Sequence, residues 1–170
     1  MGNKNIILIG MPSSGKSTIG KHLSKVLARD FVDTDFLIKS RENRELRDIV
    51  NTEGLQRFLD IQEEVVTTID LSNCIIATGG SVVYGKGSME HLKNSGIVIY
   101  LKLEYIEIES RITAGRRFAR TNGQSFFDLY TERTPLYERY ADIVLDCSGK
   151  SVEKIAEEIM EITSEVNKTM

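Results

Sequence analysis

The sequence predicts an α/β fold, a three-layer α/β/α sandwich built on a five-stranded parallel sheet, and three observations predict it. Five short, β-rich apolar runs alternate with longer stretches of helical periodicity. The runs are nearly continuously apolar rather than alternating, as strands buried on both faces are. The polar and glycine-bearing motifs directly follow the first three runs, and ligands of open parallel sheets collect at the carboxyl ends of strands.

Each element follows from its local pattern. Residues 4–10 read as the first strand, ending in Gly10, and residues 16–29 as the first helix. Strand character returns at 31–34, 73–78, 96–103 and 142–146. Helical periodicity fills 53–71, 85–94, 104–113, 125–140 and 151–166, and Pro135 is expected to interrupt the stretch 125–140. The chain has 170 residues, 41% hydrophobic and 28% charged, which fits a single globular domain over 1–170.

After the first strand comes GMPSSGKST, Gly10 to Thr18, a complete Gly-x-x-x-x-Gly-Lys-Ser phosphate-binding loop. Its glycines, Gly10 and Gly15, let backbone N–H groups turn inward around phosphate oxygens, with Ser13 and Ser14 between them. The helix that starts near Lys16 adds unsatisfied donors and a positive dipole end. Lys16 is placed to bridge the outer phosphates, Ser17 to ligate Mg²⁺ and Thr18 to reach the inner phosphates. A nucleoside triphosphate site follows, with ATP and Mg²⁺ as the expected cofactors.

After the second strand, FVDTD carries Asp33 and Asp35 two residues apart, which in an extended segment point to one side. Near Mg²⁺ one can hold the metal and the other can accept a hydrogen bond from an acceptor hydroxyl. The plain alternative is an acidic strand end at which Asp35 caps the next helix. After the third strand, ATGGSVV offers Gly79 and Gly80, where a ligand can approach the backbone closely. The basic stretch AGRRFARTNGQ, 114–124, sits where a mobile flap fits, and Arg116, Arg117 or Arg120 can reach a transferring phosphoryl group. In ERTPLYERYAD, Arg133 and Thr134 are expected to turn toward a cleft, with Tyr137 and Tyr140 as core or cleft wall.

Composition argues against other classes. A net charge of −3 and a pI near 5.5 disfavour a nucleic-acid partner, which needs a basic face. No apolar run approaches the ~20 residues of a membrane span, and the N-terminal residues lack a signal-peptide pattern. The two cysteines, Cys74 and Cys147, sit in apolar stretches as small hydrophobes and form no disulfide framework, in keeping with a cytoplasmic setting. No Asn-Lys-x-Asp guanine-reading sequence is present, which argues against a GTPase switch.

Taken in this order, GMPSSGKSTIG, FVDTD, ATGGSVV and ERTPLYERYAD resemble the shikimate kinases, over roughly residues 5–162. The resemblance implies a P-loop kinase with a substrate-binding helical segment at about 35–71 and a lid at about 114–124. It implies transfer of the ATP γ-phosphoryl group to the 3-hydroxyl of shikimate, a step toward aromatic amino acids. By the same resemblance Asp33 belongs to the Mg²⁺ shell and Asp35 orients the acceptor. Gly79 and Gly80 present backbone to the substrate ring, Arg133 binds the substrate carboxylate, and Arg117 is the lid arginine on the nucleotide. The expected partner is a small-molecule substrate, with no nucleic acid and no membrane, and the protein is expected to be a monomer.

The chain departs from the family's pattern in three places. Arg57-Phe58-Leu59 stands where the family shows Gly-Phe-Arg, so the arginine that clamps the shikimate carboxylate is replaced by Leu59. Losing such a charge-assisted contact costs about 1.5–3 kcal/mol. Arg57 lies two residues earlier, about 200° around a helix, so it faces elsewhere. Ser81 ends what is usually a three-glycine run, and Arg117-Phe118-Ala119-Arg120 replaces an Arg-Pro-Leu lid pattern. Arg57 and Arg120 are the two arginines available to make up the lost charge. Competing readings are a P-loop kinase for another acceptor, a gluconate-like polyol or a nucleoside monophosphate, and a shikimate-kinase-like protein that binds ATP without catalysis.

Overall fold

The computed structural model describes residues 4–112, 119–121 and 123–169. Five parallel strands form one sheet in the order β2-β3-β1-β4-β5. The strands are β1 (Asn5–Ile9), β2 (Asp30–Asp33), β3 (Cys74–Ala77), β4 (Gly96–Lys102) and β5 (Ile143–Asp146). Every residue of β1 and β3 is buried, which requires cover on both faces. That cover comes from α1 (Lys16–Leu27), packed against α7 (Val152–Thr169), and from α3 (Leu46–Thr67), packed against α4 (Lys86–Ser95).

The remaining helices are α2 (Thr34–Glu42), α5 (Tyr105–Arg111) and α6 (Phe126–Tyr140). The main core joins the apolar strands to α1, α4, α6 and α7. A smaller one, made of Ile38, Ile49, Phe58, Ile61 and Val65, holds α2 against α3. Gly54 bends α3 with a left-handed φ of 87°. The strands and six of the helices lie close to where the sequence pattern puts them. Two elements differ: α2 and the first turns of α3 form within a stretch too charged to show apolar periodicity.

Two local readings are corrected. The extended segment at FVDTD ends at Asp33, and Asp35 already lies in the first turn of α2. Asp33, not Asp35, is the N-cap: its Oδ1 accepts the N–H groups of Asp35 (3.0 Å) and Phe36 (3.4 Å). Pro135 does not interrupt α6, which runs through it to Tyr140. A proline deletes one backbone donor, here the one that would have reached the Thr131 carbonyl, and the helix continues all the same, with the Thr134 hydroxyl donating to the neighbouring Tyr130 carbonyl (2.8 Å).

Candidate active site

The loop after β1 is a strained turn that empties into a helix. Ser13 (φ 67°) and Gly15 (φ 96°) both take left-handed backbone, and Gly15 is the N-cap of α1. Gly15 has no side chain to cap with, and the first turn of α1 carries no acidic residue. The helix therefore directs uncompensated N–H groups and its positive end at whatever lies above the loop. Lys16 is 7% exposed, and its ammonium donates to the carbonyls of Gly10 (2.8 Å) and Met11 (2.7 Å) and to Ser14 Oγ (3.4 Å). Gly10 and Ser14 thus hold the lysine rather than line the space above it.

That space is a cavity of ≈ 470 Å³. The phosphate loop lines one end of it with Ser13, Gly15, Lys16, Ser17 and Thr18. Asp33, Asp35, Gly79, Gly80 and Arg133 are also in its lining, so most of the residues singled out from sequence meet in one place. Arg116 and Arg117 lie outside the described residues. Arg57 and Arg120 are not part of this wall. Arg57 faces Glu53 (3.8 Å) and Glu64 (3.3 Å), and Arg120 lines a neighbouring cavity of ≈ 300 Å³ together with Leu59.

Asp33 joins the two ends. While its Oδ1 caps α2, its Oδ2 accepts the hydroxyl of Ser17 at 2.7 Å. A hydroxyl and a carboxylate oxygen side by side are hard donors that fit a small divalent cation, which fills the rest of its shell with water and phosphate oxygens. No cluster of three His, Cys, Asp or Glu side chains exists among the described residues, so protein ligands alone would not make a closed cage.

The far wall is held from behind. Arg133 is 1% exposed on α6: its Nε donates to the Tyr84 hydroxyl (3.1 Å), an Nη2 donates to the Ala119 carbonyl, and the guanidinium stacks over the Tyr84 ring at 5.0 Å. Burial raises the Tyr84 hydroxyl above its ordinary value, with the Arg133 charge opposing, and the protonated hydroxyl donates to Glu132. One helical turn on, Tyr137 donates to the Gly80 carbonyl (2.6 Å) and stacks on Tyr100, so it supports the glycine pair rather than facing the cleft. Burial raises its hydroxyl too, which keeps it a donor.

Gly79 gives its own N–H to Thr34 Oγ1 (3.1 Å), so what it offers a ligand is space. A Cβ there would strike Asp35 Oδ1 and fall 2.9 Å from Gln62 Nε2. Ser81 keeps its place by donating its hydroxyl to Gln62 Oε1 (3.0 Å), while Gln62 Nε2 is buried with no hydrogen-bond partner. The family resemblance put a substrate-binding helical segment at about 35–71, but sequence reasoning did not single out Gln62 or the α3 residues that line the cavity, Leu46, Arg47, Val50 and Phe58. The only available signal was the i, i+4 pair Leu46 and Val50 inside a charged run, too short to stand out.

With this geometry in place, comparison with known proteins is direct. The pattern of the family described as "Shikimate kinase" matches residues 12–164. A shikimate kinase from Bacillus mycoides is 34% identical over 95% of this chain and 99% of its own length. One from Thermodesulfovibrio yellowstonii is 36% identical over 92% and 93%. A solved structure described as shikimate kinase from Acinetobacter baumannii in complex with shikimate superposes with a TM-score of 0.85 at 27% identity, covering 96% of this chain and 94% of that one. No helix among the described residues is long and apolar enough to cross a membrane.

Proposed function

The chain belongs to the shikimate kinase family, and on that premise we propose that it transfers the γ-phosphoryl group of ATP to the 3-hydroxyl of shikimate, giving shikimate 3-phosphate. One observation carries the reading beyond membership. A single carboxylate, Asp33, bonds Ser17 of the phosphate loop and caps the helix that presents Asp35. The donor and acceptor ends of the cavity are therefore one connected structure.

Phosphoryl transfer asks little covalent work of the protein and much positioning and charge stabilisation. The loop N–H groups and the N-terminus of α1 cradle the phosphate chain, and Lys16 sits against its outer oxygens. Ser17 and Asp33 would hold Mg²⁺, which supplies neutralisation of the phosphate charge. Asp35 accepts the hydrogen bond of the acceptor hydroxyl and aligns it for attack. Gly79 and Gly80 leave room for the ring, and Arg133 faces the acceptor carboxylate. By the family resemblance Arg117 would act on the nucleotide from the lid at about 114–124, and a closed lid would exclude water that otherwise takes the phosphate. Every one of these residues lies on one chain, which favours a monomer, and the setting we infer is the cytoplasm.

The test is ADP release from ATP·Mg²⁺ with shikimate, run beside gluconate, quinate and nucleoside monophosphates. Saturable turnover with shikimate, and a far lower kcat/KM with the others, is expected. Turnover confined to another acceptor would overturn the substrate. Tight ATP binding without turnover of any hydroxylated metabolite would overturn the enzyme itself.

A further inference from the structure

Resting on the reading of the acceptor as shikimate, we propose that Arg47 binds its carboxylate together with Arg133, and so replaces the arginine that position 59 lacks. The first argument is the inventory of cations. Among the described residues, Lys16, Arg47, Arg111 and Arg133 line the cavity. Lys16 belongs to the phosphate loop. Arg111 ends α5, which follows β4, and β4 lies on the opposite side of β1 from β2 and β3, whose ends carry Asp35 and Gly79. Arg47 and Arg133 are the two arginines of the acceptor end.

The second argument is what Arg133 can still give. Its Nε and Nη2 are committed to Tyr84 and Ala119, and Nη1 is the nitrogen next to Gly80, 3.1 Å from where a Cβ there would stand. Two protons on Nη1 and one on Nη2 remain for a carboxylate, and a second cation beside Arg133 would share the charge that this partly committed guanidinium meets.

The third is the placement of Arg47. It is the second residue of α3, in a first turn whose N-cap Glu45 makes no side-chain cap. It is three residues from Val50, so the two share a helix face, and Leu46, Arg47 and Val50 all line the cavity. Ile49, on the next face, is buried in the smaller core. The Arg47 side chain is 69% exposed, and its ion-pair neighbour is the adjacent Asp48 at 3.7 Å, beyond hydrogen-bond range. Only this one exposed contact has to yield for the Arg47 guanidinium to turn inward, whereas Arg57 meets both Glu53 and Glu64. Leu59 fits this arrangement. It packs on the same small core as Leu46 and Val50, the residues that flank Arg47 on its face.

The experiment is steady-state kinetics of the full chain at saturating ATP·Mg²⁺ with shikimate varied. The variants are Arg47→Ala, Arg47→Met, Arg47→Lys and, as a control, Arg57→Ala, with thermal melting to establish folding. Arg47→Ala and Arg47→Met are expected to raise the KM for shikimate at least tenfold, with kcat within threefold and the KM for ATP unmoved. Arg47→Lys should recover most of the loss, and Arg57→Ala should change nothing. A KM for shikimate within twofold of the unaltered enzyme in Arg47→Ala overturns the inference, and so does recovery by Met equal to that by Lys. Absence of turnover with shikimate in the unaltered chain overturns the functional reading, and this inference with it.

Discussion

Replacing Gly79 by alanine probes the reacting end of the site with one methyl group. Gly79 does not need left-handed backbone, so the substitution carries no strain of its own. Its cost is contact. The new Cβ would lie 3.3 Å from Asp35 Cγ, inside touching distance of Asp35 Oδ1, and 2.9 Å from Gln62 Nε2. The backbone cannot retreat, because Gly79 N is bonded to buried Thr34 and follows fully buried β3. The side chains must give. To restore an ordinary contact the Asp35 carboxylate has to move by about 1 Å, and a misplacement of that size in an aligned reaction costs about 10²-fold in rate. This is about 2.7 kcal/mol of barrier.

The expected result is therefore a hundredfold lower kcat for shikimate phosphorylation, read as ADP release. ATP affinity, read with a fluorescent analogue, should be unchanged, since the phosphate loop is untouched. If Gln62 also loses its bond to Ser81, stability falls by about 1 kcal/mol, or roughly 2–4 °C in melting temperature for a chain of this size. A kcat within threefold of the unaltered enzyme would refute the role given to Asp35. A variant that lost ATP binding instead would refute the division of the cavity into two ends.

Three further outcomes follow from the same structure. Lys16→Ala should lower turnover by at least 10²-fold while the far-ultraviolet circular dichroism spectrum is kept; near-normal ADP release would remove Lys16 from the chemistry. Ser17→Ala deletes both a proposed Mg²⁺ ligand and the 2.7 Å bond to Asp33, so the Mg²⁺ concentration for half-maximal rate should rise about tenfold or more, and an unmoved Mg²⁺ titration would contradict the ligand assignment. Burial pushes the Cys147 thiol up to about 12 and raises the hydroxyls of Tyr100 and Tyr137 above their ordinary values. The unfolded chain releases these protons first, at about pH 8.5 and 10, so stability is complete below those values and falls as pH rises. The slope is about 1.4 kcal/mol per pH unit for each group, and denaturant midpoints that stay flat from pH 8 to 11 would refute it.

What could be read from the sequence depended on how local the determinants were. The phosphate loop was legible because one contiguous stretch dictates its backbone, as Ser13 and Gly15 show by their left-handed φ. Asp33 and Asp35 were legible as a pair, although for the wrong reason: the strand ends between them, and they meet the cavity because one caps the helix that carries the other. The α3 wall was not legible. Residues 39–48 carry seven charges, Lys39, Arg41, Glu42, Arg44, Glu45, Arg47 and Asp48, which mask the few apolar positions that pack α2 on α3. Nothing in the pattern sets Arg47 apart from the charges around it, while Arg57 and Arg120 stand out by closeness in sequence to Leu59 or to the lid. Which arginine lines the cavity is a matter of tertiary packing, and no periodicity reports it.

Sheet register explains why the chemical end and the specificity end respond differently to change. Leu8 pairs with Ala77, and Ala77 with Asp33, so three adjacent strands β1, β3 and β2 end in one row. The row is locked past its end, by Thr78 Oγ1 on the Leu8 carbonyl (2.9 Å) and Gly79 N on Thr34 Oγ1. Neighbouring strands lie about 4.8 Å apart. The phosphate loop after β1, Gly79 after β3 and Asp35 after β2 are therefore set within about two strand spacings, roughly 10 Å, by backbone pairing. A one-residue slip would turn every side chain of a strand to the other face, so this geometry tolerates little variation. The α3 wall is held differently, by a small apolar core and a bend at Gly54. Arg47 lines the cavity and Leu59 packs on the small core beneath the same helix, so residues of α3 can change without moving a strand. On the proposed function, transfer chemistry is thus tied to the sheet, while the proposed contact of Arg47 with the acceptor's anionic end rests on a helix that can change without disturbing it.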